Sequence, residues 1–440
     1  MTSRTALAGV MARRPAVVRW FGAVLITAFT TVVLWERLGH PVQEVAWAED
    51  SGQFLEDRLA FGPFRTIWRP YAGYLHLLPR LLVDMSVALR PIDEYATTVN
   101  ALSCLCVGVI SGLVFVLSRR HVTSWAMRVL LAAVPAITPL GPVEIAGNTA
   151  NLHWYLLFLA PWLFAFRPRS WWSAAAIAVG AGIATCTEIQ TAVFLPLFLL
   201  NRRERRVLPV AAIALAGVAA QSATALTHPR PMGHGSDAPL DMMLGYFAQP
   251  IAGSWDANVR AVGTAIHAYG WWIVVVPGLL LLAAIAVGTL QARGTERWML
   301  ISSVGGSVVA WFAALTLNAG ANQNWSTFTL AQFREVGPSR YAAAASMFLL
   351  AGVVIAADSL IARGTATLSA IGVVLIVAVL VAGAVNLQVS HRRDGGPVWA
   401  TQVDAARPEC LAHPHATIEV WAAPVLPRWR ASIPCALVNA

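Results

Sequence analysis

Eleven apolar stretches, separated by short clusters of Arg, constrain this chain more than any other feature. They lie at about 17–35, 97–118, 127–140, 152–166, 171–187, 189–200, 207–226, 267–290, 297–317, 341–361 and 366–388. The longer ones run to roughly 18–24 residues, enough to cross hydrocarbon as a helix. The 440 residues are 57% hydrophobic and only 12% charged, too little polar surface for a water-soluble chain of this length. Ten-residue segments of alternating polarity are absent, which argues against an outer-membrane barrel. The expectation is an all-α polytopic membrane protein with about eleven transmembrane helices.

Charge orients the spans. The net charge is +9 and all 31 basic residues are Arg. A soluble protein this basic would suggest nucleic acid, but here the Arg residues punctuate apolar segments, as the positive-inside rule requires. No nucleic-acid partner is expected. With Arg4, Arg13, Arg14 and Arg19 inside, the other inner loops carry Arg119, Arg120 and Arg128, then Arg167 and Arg169, the run Arg202, Arg203, Arg205 and Arg206, then Arg293 and Arg297, and Arg363. Only three of the 22 acids, Glu204, Glu296 and Asp358, fall on that side. The expected location is the plasma (inner) membrane, multi-pass, with the N-terminus cytoplasmic and the C-terminus extracytoplasmic. The first segment is longer than a signal peptide's apolar core and has no small-residue cleavage site after it, so it reads as a retained anchor. Residues 1–390 form the membrane domain, with a long outer loop at 36–96, and 391–440 form a small extracytoplasmic segment.

Two segments decide the parity. Residues 71–90 are apolar enough to span, yet His76, Arg80 and Asp84 recur every four residues and make one polar stripe. They read as an amphipathic helix lying at the interface. Residues 170–201 have Arg on both flanks and are too long for one span and too short for two full ones. They read as a hairpin of two short helices with Thr187 and Glu188 at the tip.

The 36–96 loop is the densest candidate site. Glu49 and Asp50 follow Trp47 soon after the first helix. A carboxylate at a membrane–water boundary can act as a general base on a hydroxyl, with burial and nearby Arg setting its pKa. Arg58, Arg65, Arg69 and Arg80 can hold a phosphate by charge-assisted hydrogen bonds. Trp68, Tyr71 and Tyr74 can stack on a sugar face or sit in the interfacial aromatic belt, and the whole loop also reads as a solvated connector. Later, Arg340 and Tyr341 open a helix from its outer end, where the helix dipole favours an anion. The plainer reading of Arg340 is a snorkelling interfacial side chain. Glu188 lies near membrane depth, where acids are costly and commonly functional. The loop carrying Glu144, Asn148, Asn151 and His153 can bind hydroxyls or simply cap a turn.

His228, His234, Asp237 and Asp241 share one loop, but their spacing is loose for a metal set. Cys104, Cys106 and Cys186 lie in helices, where apolar packing is the default. Cys410 and Cys435 are both outside and are expected to form a disulfide there. No phosphate-binding loop for ATP, nucleophile elbow or zinc-protease motif occurs.

The whole chain resembles the GT-C superfamily of membrane glycosyltransferases, particularly its actinobacterial members. The likeness rests on the first helix followed at once by a long outer loop with the Glu49–Asp50 pair, on amphipathic helices in that loop, on the mid-chain hairpin and on the small outer segment at the end. The stretches EDSGQF (residues 49–54) and PSRY (338–341) are similar to what bacterial members carry. The resemblance implies transfer of a sugar from a polyprenyl-phosphate donor to a cell-envelope glycan, lipid or protein acceptor on the outer face of the membrane, with inversion. It implies Asp50 as the leading base, with Glu49 as neighbour or substitute. Arg340 becomes a donor-phosphate ligand, helped by Arg58 or Arg69, with Tyr341, His76, Trp68, Tyr71 and Glu188 on the substrate. There is no clean DxD pair, so no protein metal site is expected, although a divalent cation could accompany the donor. The competing readings are a transporter or flippase for a lipid-linked precursor, a glycan polymerase or ligase, and a non-catalytic envelope protein.

Overall fold

The computed structural model describes residues 15–230, 238–317, 324–335 and 339–439. Among them, eight helices are long and apolar enough to cross a membrane: Val18–Leu38, Ile92–Arg120, Trp125–Glu144, Arg205–Thr227, Trp272–Gln291, Gly294–Leu317, Ser339–Arg363 and Ala366–Val385. The chain is therefore an all-α membrane protein. Three more apolar helices, Leu152–Phe164, Trp171–Thr185 and Ile189–Asn201, are shorter. The first two, of 13 and 15 residues, cover only about 20–22 Å at 1.5 Å per residue, against a hydrocarbon core of about 30 Å. By length, eight of the eleven expected segments qualify as spans. The other three are helical but short.

The helices are sorted by burial. The Ser339–Arg363 helix is the hub, 94% buried over its apolar window, because its Ala-rich first half lets neighbours approach on every side. The Ala366–Val385 and Trp272–Gln291 helices are each 28% buried and turn Val374, Val377, Leu279 and Leu280 outward, as lipid-facing helices do. The first helix packs closely on Tyr95–Leu117. A Cβ at Gly108 would lie 2.2 Å from Thr31 Oγ1, and one at Gly112 2.5 Å from Thr27 Oγ1, so only Gly admits this contact. The segment expected as one helix over 267–290 instead breaks at Gly270, whose φ is +90°. A separate helix, Val259–Tyr269, precedes the break.

Residues 71–90 form a helix only over Leu77–Leu89, 13 residues, too short to span. Its polar stripe faces protein. Arg80 Nη1 donates to Asp57 Oδ2 at 2.9 Å, and Asp84 Oδ1 is 2.7 Å from Arg58 Nε. The four-residue spacing that reads as an interfacial face is thus one side of a buried ion-pair ladder with the preceding loop.

That loop and the tail share one core. Trp47, Phe54, Tyr95, Trp399, Val420 and Trp429 pack together, with Cys410 and Cys435 joined by a disulfide inside the same cluster. The tail contributes the helix Trp399–Ala412 and an antiparallel pair of strands, Thr417–Trp421 and Arg430–Pro434. Backbone bonds from Ala48 N to Ala423 O at 2.9 Å and from Ala423 N to Ala46 O at 3.0 Å stitch the two segments. The 391–440 segment is thus a lid packed onto the first loop. Gly52 makes the fit possible, since a Cβ there would sit 2.5 Å from Arg428 O.

Candidate active site

Beneath this outer layer lies a cavity of about 480 Å³, walled by Glu49, Tyr71–Tyr74, His76, Ala150–Asn151, His153–Trp154, Glu188–Gln190, Arg230 and Arg340–Tyr341, among others. Ala225, Ala314 and Leu317 also line it. They sit at the C-terminal ends of two spans, and Arg340 sits at the N-terminal end of a third. All three ends are opposite to the ends marked by Arg205 and Arg206, by Arg297, and by Arg363. The Tyr71–His76 wall is docked on a span by Gln221, whose Oε1 accepts from Leu75 N at 2.8 Å and whose Nε2 donates to Leu75 O at 3.1 Å.

Glu49 and Asp50 part company here. From Asp50 to Leu55 the chain winds as a π-helix, entered from Glu49, and the two carboxylates diverge. Glu49 is the one that lines the cavity. Asp50 is fully buried and turned the other way. Its carboxylate accepts from Thr149 N at 2.8 Å, Thr149 Oγ1 at 2.6 Å and Ala150 N at 2.8 Å. Burial pushes it up to about 6, against those three hydrogen bonds. Its geometry is that of a pin holding the loop to residues 149–150.

Glu49 faces a cation. Its Oε1 lies 4.0 Å from Arg340 Nη1. Burial raises the carboxyl above the usual glutamate range, the Arg340 charge pulls it back, and Glu144 raises it again. Arg340 is held in place by Glu144. That buried carboxylate accepts from Ser339 Oγ at 2.6 Å and Arg340 N at 3.2 Å, and lies 3.9 Å from Arg340 Nη1. Arg392 Nε approaches the same group at 3.6 Å. Arg340 also lies over the Tyr341 ring, 5.2 Å from its centre.

The other expected residues divide. Tyr71, His76, Glu188 and Tyr341 line the cavity. Glu188 hydrogen-bonds His153 Nδ1 and caps the next helix, accepting from Gln190 N at 2.8 Å. Arg58 and Arg69 stand away from it, committed to Asp84 at 2.7 Å and Asp57 at 3.1 Å. Trp68 is 62% exposed on the outer layer. Within the loop at 228–241, His234 and Asp237 lie outside the described residues, while Asp241 accepts from Ser326 N at 2.7 Å. Among the described residues no three His, Cys, Asp or Glu side chains converge as a metal set.

Trp154, Gln190 and Arg230 in the wall are functional candidates that sequence reasoning passes over. Trp154 lies inside an apolar helix, and Gln190 sits one position past an apolar residue in a helix that reads as membrane-embedded. Only the proximity of His153 and Glu188 along the chain hints at either.

No protein-family model matches the chain, and no curated protein or solved structure matches it either.

Proposed function

We propose that the protein is an inverting membrane glycosyltransferase that takes a sugar from a polyprenyl-phosphate donor and passes it to an envelope glycan, lipid or protein. The observation that carries this reading is a carboxylate and a guanidinium, Glu49 and Arg340, side by side in the wall of a cavity bordered by the ends of three apolar helices. A lipid chain can lie along those helices while its phosphate reaches Arg340.

The chemistry follows from the two groups. Glu49 takes the proton of an acceptor hydroxyl as that oxygen attacks the anomeric carbon. The bond from the anomeric carbon to the phosphate oxygen breaks, and its electron pair leaves with the polyprenyl phosphate. Arg340 balances the charge that grows on the departing oxygen. A glutamate held above its usual range by burial is better matched to this task than an exposed one, since a base works best with a pKa near the operating pH. Asp50 serves by fixing the loop from which Glu49 projects.

Orientation belongs to the same reading. The Arg-rich helix ends are cytoplasmic, so the cavity, the loop 36–96 and the disulfide-bonded tail are extracytoplasmic in a plasma (inner) membrane. The donor is then reached from the outer leaflet.

The reading is tested by supplying radiolabelled polyprenyl-phosphoryl sugars to membranes that contain the protein and to matched membranes that lack it. Label should pass to a glycan, lipid or protein fraction only where the protein is present. Movement of intact donor across the bilayer with no sugar transferred would instead identify a flippase.

A further inference from the structure

Four residues of the cavity wall each carry a buried polar atom with no hydrogen-bond partner among the described residues: Glu49 Oε2, Trp154 Nε1, His76 Nδ1 and Gln190 Oε1. Trp154 and His76 are each only 2% exposed. A buried polar group left unpaired costs about 1–3 kcal/mol. Four of them around one cavity mark a place that a bound molecule completes.

Their characters specify that molecule. The indole nitrogen only donates. His76 Nε2 lies 3.2 Å from the Tyr71 carbonyl and carries the hydrogen, so its Nδ1 accepts. The Gln190 carbonyl also accepts. Glu49 Oε2 accepts as well, so an anion would meet three acceptors, and a cation would leave the indole unpaired. Hydroxyl groups, which donate and accept, suit all four. Beside them stands His153, with Nδ1 committed to Glu188 and Nε2 left as the imidazole's remaining polar atom. The rings of Tyr74 and His76 lie 4.2 Å apart, and Trp154 packs 5.7 Å from Tyr341. Aromatic walls of this kind suit the C–H faces of a sugar ring rather than water alone. Trp154 therefore bridges the Arg340–Tyr341 end of the cavity to the His153–Glu188 end.

We infer that the Trp154–His153–Gln190 end of the cavity, with His76 opposite, is the recognition subsite for a neutral, hydroxyl-rich sugar ring whose phosphate lies at Arg340. This rests on the proposed donor-phosphate role of Arg340. Glu188 acts here as a positioning residue, fixing the His153 ring so that Nε2 meets a hydroxyl. A sugar bearing a carboxylate is disfavoured by Glu188 and the three acceptors.

The test is binding to the purified full-length protein in nanodiscs. The probes are farnesyl phosphate and its glycosyl esters with mannose, glucose, galactose, arabinofuranose and glucuronic acid. At least one neutral-sugar probe should bind about tenfold or more tighter than farnesyl phosphate, the effect of one or two buried hydrogen bonds. The glucuronic acid probe should show no such gain. Trp154→Phe and Gln190→Leu should each erase most of the gain, whereas Arg340→Gln should weaken sugar-bearing and sugar-free probes by the same factor. Equal binding of all probes to the wild type, or no binding of any, overturns the subsite. So does a full sugar preference in both Trp154→Phe and Gln190→Leu. A sugar preference lost in those two variants, together with farnesyl phosphate binding indifferent to Arg340→Gln, upholds the subsite and removes Arg340 from the phosphate.

Discussion

Arg340 Nη1 stands 4.0 Å from Glu49 Oε1 in the cavity wall, and the two come from segments separated by most of the chain. Each sets the other's chemistry. Arg340 lowers the Glu49 pKa that burial has raised, and Glu49 adds to the acidic surroundings in which the guanidinium sits. Arg340→Gln should therefore do two things. Transfer should fall by about 10²–10³ through lost stabilisation of the leaving phosphate, and the acidic limb of the rate profile should move to higher pH. Steady-state kinetics across pH on the purified variant check both.

The pH dependence expected of the unaltered protein follows from burial of Glu49. As a base it works only when deprotonated. Its folded pKa lies above the ordinary glutamate value, so kcat/KM should rise with pH through a limb displaced upward from about 4.3. Glu49→Asp should keep such a limb at a lower rate, and Glu49→Gln should remove it. A rate profile flat across the acidic range would contradict the assignment.

Asp50→Asn should damage the fold more than the chemistry. Thr149 N, Thr149 Oγ1 and Ala150 N all donate to the Asp50 carboxylate. An amide turns an NH2 group toward at least one of these donors and costs about 1–3 kcal/mol. Thr149→Val removes one donor and should cost less. Thermal unfolding of the two variants in one detergent compares them.

The lid gives two further expectations. Gly52→Ala would put a methyl group 2.5 Å from Arg428 O, a backbone contact that cannot swing aside, and overpacking of this kind costs about 1–3 kcal/mol. Cys410 and Cys435 are 25 residues apart in sequence, so Cys410→Ser should lower stability by about 3 kcal/mol. Unfolding followed under oxidising conditions reads both. A shift in gel mobility of the wild type on reduction should report the bond in protein taken directly from membranes.

Much of the architecture was legible because hydropathy and Arg placement act on long segments. Each of the eleven apolar stretches contains helix, and the hairpin with Glu188 at its tip stands as expected. Span count was less legible: Leu152–Phe164 is apolar because it is buried in protein, the hairpin helices turn Trp172, Val179 and Leu199 outward, and all three are shorter than the eight spans. Of the candidate residues read from the sequence, Glu49, Tyr71, His76, Glu188, Arg340 and Tyr341 all line the cavity, but the Glu49–Asp50 pair was not resolved into its two members. Which acid faces the cavity depends on the local winding at Asp50–Leu55, and adjacent letters carry no sign of it. Arg58 and Arg69 looked available for phosphate because their partners, Asp84 and Asp57, are charges in the same loop whose pairing requires the three-dimensional ladder. The hydroxyl-reading candidates Trp154 and Gln190 were invisible for a similar reason, since each sits in an apolar run and its polar atom matters only through where the cavity falls.

The most direct measurement of the central claim is the single-turnover rate of sugar transfer by Glu49→Gln, on protein shown to unfold at the wild-type temperature and to bind the lipid-linked donor with wild-type affinity. With the base removed and the Arg340 end intact, the rate should drop by about 10²–10⁴. A Glu49→Gln protein that transfers sugar at the wild-type rate would contradict the account.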